Sequence, residues 1–186
     1  MEVPAGFRQM QREAGIWFEN RDSFFDKTEP HKGQENAYFA ISEMVERKKR
    51  LLVLTGESRS GKSWLTSGYI NYELKTAYGT ESKETSKYMT FFEMELALRS
   101  AMTLGTMERL FLNLVAPTNL VIDELGRGKW SEFTATFFTN LILKRYGEGK
   151  NSLIATNLSG SELKEMLDFA LLERLKEQNA VILVKK

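Results

Sequence analysis

The sequence contains no cysteine and a single histidine, His31, among its 186 residues. Disulfide frameworks, thiolate metal sites, cysteine nucleophiles and multi-histidine metal sites are therefore excluded. No apolar run approaches the ~20 residues that cross a membrane, and the N-terminal residues lack the apolar core of a signal peptide. These absences predict a cytoplasmic protein without a membrane partner.

An excess of charge of either sign is also missing. The 26 lysines and arginines stand against 25 aspartates and glutamates, for a net charge near +1. A strongly basic balance would indicate nucleic-acid binding, so any contact with DNA must come from a local patch. The hydrophobic share of 42% and the charged share of 27% are ordinary for a globular protein, and the length suits one α/β domain.

What the sequence does contain is short apolar runs that alternate with amphipathic segments. This alternation predicts crossover units and a parallel sheet. Strands are predicted near residues 51–54, 88–92, 119–122, 152–155 and 180–184, and helices near 33–45, 64–74, 93–101, 107–115, 133–142, 161–167 and 170–178. Residues 1–30 show no clean period, which predicts an N-terminal arm ahead of a core domain of residues 31–186.

A glycine-rich segment between the first apolar strand and the next helix matches the phosphate-loop pattern G-x-x-x-x-G-K-S/T. Its residues are Gly56, Glu57, Ser58, Arg59, Ser60, Gly61, Lys62 and Ser63, followed by Trp64. In such a loop the main-chain N–H groups bind phosphate, Lys62 contacts the β- and γ-phosphates of ATP, and Ser63 binds Mg²⁺. A plain strand-to-helix turn with a solvated lysine is the alternative, but a chance match arises in roughly one such chain per hundred or fewer.

Two carboxylates, Asp123 and Glu124, follow the apolar run at residues 120–122. In phosphate-loop ATPases the first acid of such a pair holds Mg²⁺ and the second orients or activates the attacking water. Solvated acids at strand ends are common, but a phosphate loop earlier in the chain favours hydrolysis. Asp123 is therefore the predicted metal residue and Glu124 the predicted base.

Two further candidates rest on weaker patterns. Asn157 follows the strand at residues 152–155, at the sheet edge where ligands bind, although an asparagine that starts a turn explains it equally well. Arg174 precedes the last strand and is a candidate arginine finger, which would reach the γ-phosphate held by a neighbouring subunit. The ordinary alternative is an ion pair between Arg174 and Glu177, one helical turn away.

Taken in chain order, these motifs resemble those of AAA+ ATPases of the DnaC/IstB type, the bacterial and phage helicase loaders and transposition helper ATPases. The resemblance spans about residues 24–184 and includes Gly33-Gln34 ahead of the first core helix. It implies a five-stranded parallel sheet in the order 5-1-4-3-2, flanked by helices, with Asn157 as sensor 1 and Arg174 as the finger. It also implies a homo-oligomer when ATP is bound, and contacts with single-stranded DNA and a replicative helicase.

The chain departs from the typical loaders in two ways. The N-terminal arm is short beside their helicase-binding domain, and the last strand so near the C-terminus predicts that no C-terminal helical lid or sensor 2 arginine is present. Three places are candidates for a DNA surface: the basic run at residues 46–50, the pair Arg127 and Lys129, and the mixed arginines and aromatics of the arm.

The leading hypothesis is an ATPase, converting ATP and water to ADP and phosphate, that acts in DNA replication by ATP-dependent assembly on single-stranded DNA or a helicase. An IstB-like transposition helper, with a transposase as partner, is the alternative within the family. Two other classes are a small-molecule kinase, for which an acceptor pocket and an arginine-bearing lid would be expected, and an adaptor that binds nucleotide without hydrolysing it.

Overall fold

The computed structural model describes residues 4–25, 29–82 and 84–185. Residues 1–3 and 26–28 of the predicted arm, and residues 83 and 186 of the predicted core domain, lie outside the described residues. The described chain forms alternating strands and helices, in the order that the apolar runs predict.

The sheet has five strands, and every pair of neighbours is parallel. Along the sheet the order is β2-β3-β4-β1-β5, which confirms the predicted order read from its other edge. The strands are β1 (Leu51–Thr55), β2 (Ser86–Thr90), β3 (Asn119–Leu125), β4 (Asn151–Thr156) and β5 (Val181–Leu183).

Helices cover both faces of the sheet, because each face of the central strands is apolar. In β1, Leu51 and Val53 pack into one hydrophobic cluster and Leu52 and Leu54 into the other. The helices are α1 (Ala5–Glu13), α2 (Glu35–Val45), α3 (Lys62–Ala77), α4 (Phe91–Leu104), α5 (Met107–Val115), α6 (Glu132–Gly147), α7 (Gly160–Met166) and α8 (Phe169–Glu177), with a short 3₁₀ helix at Phe18–Asn20. Helices α1 to α3 contribute to one cluster and α4 to α8 to the other.

The boundary between β2 and α4 differs from the prediction. The predicted strand at residues 88–92 ends instead at Thr90, and Phe91 begins the helix. The Thr90 hydroxyl accepts a hydrogen bond from the Glu93 N–H at 3.2 Å, and the Glu93 carboxylate accepts one from the Thr90 N–H at 2.7 Å. This capping box satisfies main-chain donors at the helix start, and it outweighs the strand preference of the two phenylalanines.

The N-terminal arm contains a helix, α1, that the sequence pattern did not predict. Its side chain Gln11 donates a hydrogen bond to Asn71 on α3 at 2.7 Å, and both residues are fully buried. Phe7, Phe24 and Phe25 lie in the same hydrophobic cluster as α2 and α3. The described part of the arm therefore packs against the core, and the division at residue 30 stays a prediction.

Arg145, on α6, is fully buried at the end of the sheet that lies away from the carboxyl ends of the strands. Its guanidinium donates to the main-chain oxygens of Leu114 at 3.0 Å and Pro117 at 2.7 Å, and to the Ser152 hydroxyl at 2.9 Å. Burial lowers the pKa of Arg145 to about 10, so the side chain stays cationic at neutral pH. Arg145 on α6 thus connects α5 and β4 by hydrogen bonds, a role that no sequence motif indicates.

Within the described ranges, no helix is long and apolar enough to cross a membrane.

Candidate functional site

A cavity of about 170 Å³ lies at the carboxyl ends of β1, β3 and β4. Parallel strands end at a common edge, and that edge is where ligands of open α/β sheets bind. The lining residues are Ser58, Arg59, Gly61, Lys62, Ser63, Trp64, Asp123, Glu124, Thr156 and Asn157. The structure thus brings together nine residues that the sequence predicts for the site and adds Thr156, which it does not.

The phosphate loop depends on glycine at both ends. Gly61 has a φ of 92°, and a Cβ there would lie 2.3 Å from Nε2 of Gln34. Gly56 has a φ of 149°, and its Cβ would lie 2.2 Å from the main-chain oxygen of Val184. At Gly56 a side chain would collide with main chain. At Gly61 a side chain would displace the Gln34 amide and be strained by the positive φ, so the loop's path favours glycine at both positions.

The loop ends at the N-terminus of α3. Gly61 is the residue before this helix and provides no capping side chain. The first N–H groups of a helix have no partner within the helix, and its N-terminal end carries partial positive charge. This arrangement suits an anion bound beside Lys62 and Ser63.

Lys62 is 7% exposed although it is a cation. Its ammonium donates to the main-chain oxygens of Gly56 and Glu57, each at 2.7 Å, and to the Ser60 hydroxyl at 3.3 Å. The amine is thereby held across the loop, at the wall of the cavity.

Gln34 supports the loop from behind. Its side-chain amide donates to the main-chain oxygen of Ser60 at 2.9 Å, and the residue is 6% exposed. The neighbouring Gly33 oxygen accepts a hydrogen bond from the Lys185 N–H at 3.0 Å. The segment before α2, the phosphate loop and the chain after β5 therefore meet around the site.

Asp123 is 3% exposed and has a donor on each carboxylate oxygen. The Tyr88 hydroxyl donates to Oδ2 at 2.5 Å, and the Glu124 N–H donates to Oδ1 at 2.7 Å. Burial, followed by the charge of Asp123, raises the pKa of Tyr88 well above its usual range, so the phenol keeps its proton. The sequence analysis did not single out Tyr88. A tyrosine near the end of the strand that precedes the strand with the two acids is the signal that could have found it.

Glu124 occupies an unusual main-chain position. Its φ is 57°, and the pairing of β3 with β4 shifts register between Ile122 and Leu125. Left-handed conformations of residues other than glycine are strained and concentrate at functional sites. The Glu124 carboxylate forms an ion pair with Arg127 at 2.5 Å, and its side chain is 31% exposed.

The end of β4 is attached to the end of β3. The Thr156 hydroxyl donates to the main-chain oxygen of Leu125 at 2.7 Å and accepts from the Leu158 N–H at 3.0 Å. These bonds fix the turn after the strand. Asn157 follows with an exposed side chain and lines the cavity.

Arg174 lies on α8, outside the set of residues that line the cavity. It forms an ion pair with Glu177 at 2.7 Å, and its guanidinium carbon lies 5.8 Å from the centre of the Tyr146 ring. The ion pair is the ordinary alternative that the sequence analysis gave for this residue. A finger role requires a second subunit, and it stays a prediction.

The donors at the cavity fit Mg²⁺ bound together with phosphate. Ser63 and Asp123 both line the cavity and offer oxygen atoms, the ligand type that Mg²⁺ prefers. Within the described residues no group of three or more histidine, cysteine, aspartate or glutamate side chains could hold a metal by itself. Mg²⁺ is commonly bound by one or two protein ligands with phosphates and waters, so a small donor set is sufficient.

Comparison with known proteins gives a family and a fold. Residues 23–186 match the family model described as IstB-like ATP binding protein. No curated protein sequence matches the chain at a significant level.

Among solved structures, AMPPCP-bound DnaA from Aquifex aeolicus has a TM-score of 0.77 and 17% identity, covering 91% of this chain and 52% of that one. This chain therefore spans about half the length of that protein. The DnaC helicase loader has a TM-score of 0.74 and 19% identity over 91% of this chain and 100% of that one. DnaI has a TM-score of 0.72 and 19% identity over 92% of this chain and 95% of that one.

At these identities the solved structures establish the fold, and the family model establishes the kinship. The chain shares its fold with the DnaA and DnaC structures over 91% of its length. The chain therefore belongs to the IstB-like ATP-binding family, as an AAA+ protein of the DnaC/IstB type.

Proposed function

We propose that this protein hydrolyses ATP and uses the cycle of binding and hydrolysis to assemble on, and leave, single-stranded DNA and a replicative helicase. The observation that carries the proposal is that Lys62, Ser63, Asp123, Glu124 and Asn157 line one shared cavity. A phosphate-binding lysine, metal-binding oxygens and an acid for the attacking water are the parts that phosphoryl transfer to water requires.

The phosphate end of ATP is the part that the cavity suits. Its volume, about 170 Å³, is below the ~300–1,000 Å³ of pockets that enclose whole ligands. Phosphate oxygens would accept hydrogen bonds from the loop amides and from the first turn of α3. The Lys62 ammonium would exchange a main-chain oxygen for a phosphate oxygen, a small movement because it already lies across the loop.

The remaining side chains have separate tasks. Ser63 and, through water, Asp123 would hold Mg²⁺, which supplies neutralisation of the charge that develops on the phosphates. The Glu124 carboxylate separates from Arg127 and then accepts a proton from the attacking water. Asn157 orients that water. The product of this chemistry is ADP and free phosphate.

The decisive assay is phosphate release by the full chain with and without single-stranded DNA. We expect Mg²⁺-dependent release that DNA stimulates. We also expect loss of ATP binding in Lys62→Ala, because this ammonium would contact the β- and γ-phosphates. Lys164→Ala, which changes an exposed lysine on α7, is the matched control and should behave as wild type.

Other outcomes of the same assay point to the other classes. ATP binding without phosphate release would favour an adaptor. Transfer of the γ-phosphate to a metabolite, with no free phosphate, would favour a kinase.

The three candidate DNA surfaces differ in what surrounds their cations. In the basic run at residues 46–50, Lys48 pairs with Glu46 at 2.6 Å and Lys49 donates to the Gln178 oxygen at 2.6 Å. Arg127 pairs with Glu124. These cations already serve contacts within the chain, and so does Arg8 of the arm, which pairs with Asp22 at 2.6 Å. What favours the N-terminal arm is that it alone among the three places combines its cations with exposed aromatic rings.

The arm presents exposed aromatics beside arginines. Phe18 is 81% exposed and Trp17 is 48% exposed. The guanidinium carbon of Arg21 lies 5.5 Å from the centre of the Phe18 ring. Phe18 and Arg21, together with Arg8 and Arg12, border a cavity of about 310 Å³ in which Asp22 is the acid among the lining residues. Aromatic rings that stack on bases next to cations that bind phosphate are typical of surfaces for single strands.

Phe18→Ala is expected to weaken binding of a labelled oligothymidylate by about 1–3 kcal/mol, the usual worth of one stacked base. This corresponds to a dissociation constant about 5- to 150-fold higher, measured by fluorescence anisotropy at fixed salt. Phe39→Ala, which removes another exposed ring on α2, should leave the affinity unchanged. Equal affinity of wild type and Phe18→Ala would move the DNA surface away from the arm.

The helicase is the partner that we favour, because the DnaC helicase loader shares the fold over its whole length. The IstB-like family model leaves a transposase as the other partner. A pull-down with ATP from the native host distinguishes them by which of the two proteins is recovered.

A further inference from the structure

The carboxylate of Asp123 is held by a side chain that no motif includes. Within the described residues, the Tyr88 hydroxyl is the side-chain donor to Asp123, at 2.5 Å from Oδ2. The other oxygen, Oδ1, accepts the main-chain N–H of Glu124 at 2.7 Å. A carboxylate has about four acceptor sites, so each oxygen keeps one direction for a further donor or a metal-bound water.

Tyr88 itself is held at several points. It is 4% exposed and packs in the hydrophobic cluster that α2 and α3 form with the sheet. Its main-chain N–H donates to the Ala14 oxygen of the arm at 2.6 Å. A Cβ on Gly15 would lie 2.2 Å from the main-chain oxygen of Tyr88, so the arm approaches this strand closely. The phenol therefore has little freedom to follow Asp123 if that carboxylate turns.

The register of the sheet explains how the two side chains meet. Tyr88 pairs with Val121 across β2 and β3, and Asp123 lies two residues further along β3. Residues two apart on a strand point to the same face, so Tyr88 and Asp123 are diagonal neighbours on the α3 side of the sheet.

We propose that Tyr88 is a positioning residue for Mg²⁺, whose hydroxyl sets the orientation of the Asp123 carboxylate toward the metal. The inference rests on the proposed function, because it takes the cavity to be a Mg-ATP site. Removal of the hydroxyl leaves a buried carboxylate oxygen without its donor, and the carboxylate then loses its fixed direction. Groups that orient a metal ligand in this way typically change metal affinity or activity by 10- to 100-fold when removed.

The test is Tyr88→Phe in the full chain, which keeps the ring that packs in the core. The affinity for AMPPCP is measured by calorimetry across a Mg²⁺ titration and again in EDTA. We expect the Mg²⁺ concentration for half-maximal binding to rise about tenfold or more, with the affinity in EDTA unchanged. The Mg²⁺ dependence of phosphate release should shift in the same direction.

Tyr69→Phe is the matched control, because it removes the hydroxyl of a fully buried tyrosine at the other end of the sheet. The Tyr69 hydroxyl donates to Asn119 at 2.9 Å and accepts from Asn151 at 3.1 Å. This variant should lose thermal stability without a change in the Mg²⁺ titration. An equal shift in both variants would mean a general loosening of the fold and would overturn the inference.

A double-mutant cycle with Asp123→Asn provides the second measurement. If Tyr88 acts through Asp123, Tyr88→Phe has no additional effect on the Mg²⁺ titration in the Asp123→Asn background. Additive effects would overturn the inference.

The two proposals can fail separately. A wild type that releases no phosphate contradicts the proposed ATPase, while the Mg²⁺ titration of AMPPCP binding still decides the role of Tyr88. A wild type that hydrolyses ATP, beside a Tyr88→Phe variant with an unchanged titration, rejects only the positioning role.

Discussion

Glu124→Gln is expected to slow ATP hydrolysis by about 10²–10⁴-fold, the usual contribution of a general base, while ATP still binds. The amide has nearly the size of the carboxylate but cannot accept the proton of the attacking water. The measurement is phosphate release in a single turnover, together with the dissociation constant for ATP. Hydrolysis at the wild-type rate would show that another group activates the water.

The ion pair between Glu124 and Arg127 does not oppose this role. The side chains are 31% and 75% exposed, and ion pairs at such a surface contribute about 0–1 kcal/mol. The free energy needed to separate the two side chains is therefore small compared with the lowering of the reaction barrier by a general base. Glu165→Gln, which changes an exposed acid on α7, is the matched control and should retain the wild-type rate.

Arg174→Ala is expected to lower the turnover of the assembled protein by about 10³–10⁵-fold, the usual effect of an arginine finger. ATP binding to the dilute monomer should be unchanged, because Arg174 lies outside the residues that line its own chain's cavity. The measurement is turnover as a function of protein concentration. A dilute monomer that hydrolyses ATP at the full rate would exclude the finger.

Two controls separate the finger from a structural ion pair. Glu177→Ala removes the intrachain partner of Arg174 and should leave turnover near wild type; equal loss in both variants would favour the structural role. Mixing Arg174→Ala with Lys62→Ala should restore part of the activity, because one subunit keeps an intact nucleotide site and the other keeps the finger.

The phosphate loop was predictable because its chemistry requires certain residues at fixed spacing. Gly56 and Gly61 have positive φ values that other residues adopt only with strain, and the motif therefore appears in the sequence itself. The place of Asp123 at the cavity was predictable for a related reason, since an apolar run followed directly by two acids is a local pattern. The sheet order was implied by the family resemblance, and the structure confirms it.

The ends of the helices and strands were harder to predict from the sequence. Phe91 was predicted in a strand and begins a helix, because the capping box of Thr90 and Glu93 starts α4 there. The strand predicted to end at Ile122 continues to Leu125 through a change of register. In the first place short-range hydrogen bonds outweigh the apolar pattern. In the second, Leu125 is joined to β4 by its pairing with Thr156 and by the Thr156 hydroxyl, a contact between residues far apart in sequence.

By itself the sequence determined the location of the phosphate loop and of the two acids that follow the apolar run at residues 120–122, because each depends on residues that are adjacent along the chain. It also determined the family, because the motifs occur in a fixed order along the chain. Only the tertiary structure decided that Tyr88 holds Asp123, that Gln34 supports the loop and that the arm packs beside Tyr88. Such contacts join residues that are far apart in sequence, and the packing of helices on the sheet sets their geometry. A pattern of neighbouring residues in the sequence does not predict that packing.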